Sequence, residues 1–178
     1  EFGGFDGGYS VTAGVGRDLK DLLGTDKALL HLDWLHSEAE AGDTVSNRYA
    51  DIITATFWVQ QDRWSLVTEA FAGTGGEDPN GDVFGFYILP SYDLVPKKLQ
   101  VLARFSHATG DGPDSVVAQT RYERAAPDLS GGGRGDSYTA IYGGLQYFIH
   151  GDKLKLMAGA EYASLDGGGN GGDYDGLT

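Results

Sequence analysis

Cysteine is absent from the sequence, which excludes disulfide bridges and thiolate metal sites together. No run of about 18 apolar residues occurs either, so a membrane-crossing helix is excluded, while a membrane-crossing strand is not. Basic residues are few: 13 Lys and Arg stand against 26 Asp and Glu, a formal net charge of −13. That balance lacks the positive footprint that phosphate contacts need, so nucleic acid is not expected as a partner. Proline occurs only 5 times and methionine once. The chain opens on Glu1 without an initiating methionine, a basic leader or an apolar leader core, and a processed or truncated chain is the expectation.

What the chain does have is glycine, 29 in 178 residues, with 40% hydrophobic residues. That length suits one domain spanning residues 1–178. Glycine at this density suits curved sheets and loops better than long helices, so the expected fold is all-β. The clearest local signal is a β-hairpin with arms 138–149 and 153–162 around His150, Gly151 and Asp152. In its second arm Leu154, Leu156, Ala158, Ala160 and Tyr162 share one parity, and Lys153, Lys155, Met157, Gly159 and Glu161 the other. Period two is strand geometry. One face is greasy and the other is mixed, so the greasy face needs either a second sheet or lipid against it.

Further strands follow the same rule. Strand-like alternation is expected at about 8–17, 27–38, 47–60, 64–72, 83–94 and 98–107, before the hairpin arms. The stretch 18–26, with Leu19, Leu22 and Leu23, reads as a short helical turn. The outward sets are Ala28, Leu30, Leu32 and Trp34; Ile53, Ala55, Phe57 and Val59; Leu66, Thr68, Ala70 and Ala72; Phe84, Phe86, Ile88, Tyr92 and Leu94; and Leu99, Val101, Ala103 and Phe105. Pro90 lacks a ladder donor, so a bulge or a lost bond is expected beside it. The connection 108–136 is the longest, with room for an extra strand around 115–124, and a ninth strand is expected to open at 176–178.

Connections alternate short and long from the third strand onward, with tight turns at 61–63, 95–97 and 150–152 and polar stretches at 73–82 and 108–136. Tight turns on one rim and long loops on the other, joined by strands long enough to cross a bilayer at a tilt, predict an antiparallel transmembrane β-barrel. Soluble sandwiches generally use shorter strands.

Several stretches carry a family resemblance: 99–105 (Leu-Gln-Val-Leu-Ala-Arg-Phe), 85–92 (Gly-Phe-Tyr-Ile-Leu-Pro-Ser-Tyr), 144–149 (Gly-Leu-Gln-Tyr-Phe-Ile) and 153–156 (Lys-Leu-Lys-Leu). In order and spacing, from about Tyr9 onward, they resemble the phosphate-selective porin O and P family. The resemblance implies a trimeric porin of sixteen strands in the outer membrane of a Gram-negative bacterium. Members finish on an aromatic residue and this chain on Thr178, so the resemblance implies the C-terminal half without its last strand.

The expected function is therefore a water-filled channel for passive diffusion of small solutes or anions, with no cofactor and no catalytic site. The pore-lining candidates are Arg104 and Lys155, with Arg17 and Lys153 nearer the rim and Glu69 and Glu161 as the carboxylates they would pair with. A fixed cation in a narrow lumen concentrates anions, and a weak anion preference is the expectation because a screening length of about 8 Å isolates the lumen from acidic loops. Those loops hold Asp43, Glu77, Asp78, Asp82, Asp111, Asp114, Asp173 and Asp175. Other signals take plainer readings. His31 and Asp33 share a strand face as lumen polar residues, since two ligands do not make a metal site. The nonapeptide at 167–175 resembles one calcium-binding repeat, but a single copy cannot stack. Arg134, Gly135 and Asp136 spell an adhesion tripeptide in a glycine-rich loop, where chance is the simpler source. The competing class is a non-transporting β-protein, either a soluble sandwich or a self-contained eight-stranded adhesion barrel.

Overall fold

The computed structural model describes residues 9–38, 49–75, 81–112, 115–117, 134–151, 153–166 and 174–177. Its main body is a nine-stranded antiparallel sheet. The chain runs through β1 (Ser10–Asp18), α1 (Lys20–Leu23), β2 (Lys27–Ser37), β3 (Asp51–Gln61), β4 (Trp64–Thr74), β5 (Val83–Val95) and β6 (Leu99–Gly110). A two-stranded ribbon follows, β7 (Val116–Val117) with β8 (Arg134–Gly135), and then β9 (Ser137–Phe148), β10 (Lys155–Asp166) and β11 (Tyr174–Leu177). Neighbours in the sheet are neighbours in sequence, except that β6 pairs with β9 across the ribbon. Among the described residues the sheet is open: β1 pairs with β2 alone, and β10 is held between β9 and β11. An eight-stranded barrel closed from β1 to β10 is therefore not the architecture.

Each strand forms where apolar and polar residues alternate, and the alternation sets two continuous faces. Exposure along β9 switches at every residue from Ala140 to Phe148. The inner face, over which the ribbon and residue Tyr49 fold, carries Val83, Ala140, Ala163 and Leu165, which pack with Val116 to make the small apolar core. The outer face carries large apolar side chains that no described residue covers: Ile141 is 58% exposed, Leu156 61% and Ile53 56%. No helix among the described residues is long and apolar enough to cross a membrane.

The tight turns sit at one end. Gln61 pairs directly with Trp64, and Asp62 accepts a positive φ of 50° there. Its N–H donates to the Asp26 carboxylate at 2.7 Å, which ties this turn to the β1–β2 connection. Gly24 ends α1 in the left-handed region, where a side chain would be strained. Pro90 keeps its pairing with Leu66 of β4, while the β5–β6 ladder has no pair at Leu89 or Pro90. The expected lost bond is there, but the register slip is not: it falls between Asp93 and Val95. One extra residue at Leu94 lets the strand bend into its turn.

Strand ends move by a few residues from the expected ones. β3 begins at Asp51 rather than near residue 47, and β10 begins at Lys155, leaving Leu154 in the turn, where its carbonyl accepts from Ile149 at 3.0 Å. The extra strand in the long connection is two residues paired with Arg134 and Gly135. Asp43, Glu77, Asp78, Asp114, Asp152, Asp173 and most of the nonapeptide lie outside the described residues.

Candidate functional site

The inner face is a lattice of cross-strand rows, and one row brings the expected charges together. Arg104 of β6 lies opposite Tyr142 of β9, and Tyr142 lies opposite Glu161 of β10. The Arg104 guanidinium passes over the tyrosine ring, 5.7 Å from its centre, and its Nη2 donates to Glu161 Oε2. Glu161 is only 2% exposed. A carboxylate so removed from water is stable as an ion only with a partner cation, so the pair is a structural unit of the sheet before it is anything else. Arg104 Nε is buried with no acceptor among the described residues. A buried donor left unmatched costs about 1 to 3 kcal/mol.

The tyrosine explains two glycines. A Cβ at Gly144 or Gly159, which face each other in the next row, would collide with the Tyr142 hydroxyl. The ring therefore lies down across these glycines, leaving the space above it for the guanidinium.

The other expected residues are placed separately. Lys155 is exposed on the inner parity, 3.2 Å from Gln146 Oε1 and over the Phe148 ring. Glu69 accepts from Thr56 Oγ1 at 3.2 Å and faces Tyr87, with three strands between its own and that of Glu161, so the two carboxylates do not form a pair. Lys153 sits exposed in the β9–β10 turn. Arg17 does not join the expected inward set. It pairs with Leu30 and shares parity with Val15, which puts it at the turn end on the face opposite to that of Arg104. Strand parity decides this, and a long side chain at a rim can lead its charge back to water.

His31 and Asp33 do meet, Nδ1 to Oδ2 at 2.7 Å, lying over Gly14 and Gly16 of β1 where a Cβ would collide with them. No group of three His, Asp or Glu side chains suited to a metal occurs among the described residues. Including this pair, the inner parity of the strands carries Lys27, Arg104 and Lys155 against Asp18, Asp33, Glu69, Asp93 and Glu161.

Sequence reading missed a cavity. Tyr49, preceding β3, donates its hydroxyl to the Ser115 carbonyl at 3.1 Å and so joins two connections across the inner face. Beneath them lies a cavity of about 360 Å³, lined among others by Tyr49, Phe71, Tyr87, Arg104, Ser106 and Tyr138. The available signal was aromatic: Tyr87, Tyr138 and Phe71 fall on the inner parities of their strands. The outer face has rings of its own at both ends. Trp34 and His36 share Asp51 at the loop end, and Trp64 packs on Tyr92 at 5.0 Å at the turn end.

The sequence matches no family model, no curated protein and no solved structure.

Proposed function

We propose that this sheet is wall of an outer-membrane β-barrel porin, a water-filled channel for passive diffusion of small solutes. The observation that carries the proposal is the uncovered outer face. Across the strands its residues are apolar and exposed, and it ends in aromatic residues at both rims, as a lipid-facing band does. Trp34 pairs with Ile53 and Trp64 with Gln61, eight residues apart along β3. At about 3.3 Å per residue and a tilt near 45°, the two tryptophans stand roughly 20 Å apart in height. That is close to the apolar band of a membrane barrel.

A soluble sandwich would lay a second sheet on this greasy face. Here the only other sheet among the described residues, the β7–β8 ribbon, lies on the opposite, polar side. The open edges at β1 and β11 also favour a larger closed wall, since a sheet in lipid must satisfy every edge. The resemblance to the phosphate-selective porin O and P family is in keeping with this, and trimeric assembly belongs to that resemblance.

Arg104 is balanced by Glu161, and acidic residues outnumber basic ones on the inner parity, so the channel has little anion or phosphate preference. Among the described residues, Lys27 and Lys155 are the inner cations outside an ion pair. The test is extraction followed by reconstitution: the protein needs detergent to leave membranes and produces stepwise conductance in a planar bilayer. Recovery in the soluble fraction without detergent would end the porin reading.

A further inference from the structure

We propose that the cavity beneath Tyr49 and Val116 binds a small neutral molecule with one aromatic ring and a carbonyl-type acceptor. As a way-station for a permeating solute this rests on the channel reading above, but as a binding site it stands on the cavity itself.

Size sets the first limit, because about 360 Å³ is at the small end of ligand pockets and suits one ring with a short substituent. The lining sets the second. Tyr49, Phe71, Tyr87 and Tyr138 come from four different parts of the chain and place their rings around one space. Aromatic faces and edges favour another flat ring in offset or edge-on contact. The Tyr49 hydroxyl donates to the Ser115 carbonyl, so the two connections that form the cover are tied to each other.

Charge sets the third limit. Arg104 lines the cavity and its side chain is about a third exposed, so its guanidinium offers an N–H donor to a ligand oxygen there. Its positive charge, however, is already matched by Glu161, and Glu69 stands beside Tyr87 in the adjoining row. An anionic ligand would meet no net positive charge there and would add to an acidic wall. A neutral carbonyl accepts the same hydrogen bond without that repulsion.

The experiment uses the full chain in an aliphatic detergent and three probes: benzamide, benzoate and cyclohexanecarboxamide. Saturation-transfer NMR titrations should show benzamide binding more tightly than either of the others, by roughly threefold to tenfold over the ring-saturated amide, the range that an aromatic contact supplies. Intermolecular Overhauser contacts should connect the benzamide ring to the Val116 methyls. Ser106→Leu, which fills the cavity from its floor, should remove the binding while leaving the heat-dependent gel shift of the folded protein unchanged. Equal binding of the three probes, preference for benzoate, or contacts that avoid Val116 would overturn the site. Conductance separates the two readings: a conducting protein without benzamide binding refutes the site alone, and binding without conductance refutes the channel alone.

Discussion

Placing an arginine on the outer face at two heights distinguishes lipid from water around this sheet. Ile141 is the fifth of twelve residues in β9, well inside the strand, and Leu156 is the second residue of β10, beside the tight turn. Leu156 pairs with Tyr147, six residues from Ile141. At about 3.3 Å per residue and a tilt near 45°, Leu156 stands roughly 14 Å closer to the rim. Arginine near the bilayer midplane of a barrel costs about 2 to 4 kcal/mol, and near the interface about 0 to 1 kcal/mol. Ile141→Arg should therefore weaken folding into phospholipid vesicles by roughly 30-fold or more, and Leu156→Arg by less than about tenfold. On a water-exposed surface both changes would fall within about 0.5 kcal/mol of zero. Urea titrations of folding into vesicles, followed by tryptophan fluorescence, supply both numbers. Equal, small costs at the two positions would refute the lipid-facing assignment, and a larger cost at Leu156 would refute the depth assignment.

The inner row makes three more expectations. Arg104→Ala leaves the 2%-exposed Glu161 carboxylate without its guanidinium and should cost about 3 to 5 kcal/mol in denaturant unfolding, whereas Arg104→Ala with Glu161→Gln should recover most of that loss. Gly159→Ala pushes a methyl into the Tyr142 hydroxyl and should cost about 1 to 3 kcal/mol, and adding Tyr142→Ala should make the glycine change nearly silent in the same measurement. In a bilayer under a salt gradient, the parent reversal potential should lie near zero or slightly on the cation side, and Arg104→Ala with Lys155→Ala should shift it further that way. A clear anion preference in the parent would refute the acidic balance of the inner face, and no shift in the double variant would remove both residues from selectivity.

The alternation of residues along each strand determined most of the architecture by itself, because successive side chains on an extended backbone must point to opposite faces. That is why the expected outward sets, such as Ile53, Ala55, Phe57 and Val59, and the tight turns near Gln61 and His150 read directly from the chain. Parity also contained the correct side for Arg17, which follows Val15 at a spacing of two; only its basic character argued for the lumen. Tertiary structure decided what covalent periodicity cannot carry, which is register between strands far apart in sequence. Arg104 and Glu161 are 57 residues apart, and whether they meet depends on how β6, β9 and β10 slide along one another. The glycines at 144 and 159 acquire their purpose only once Tyr142 lies across them. The register slip settled at Leu94 rather than Pro90 because an unpaired residue is easiest to place beside a turn, while Pro90 keeps its β4 partner and gives up a donor toward β6. The cavity is the furthest from the sequence, since its walls come from several strands and its cover from two connections that meet through a single hydroxyl, and no local pattern records that meeting.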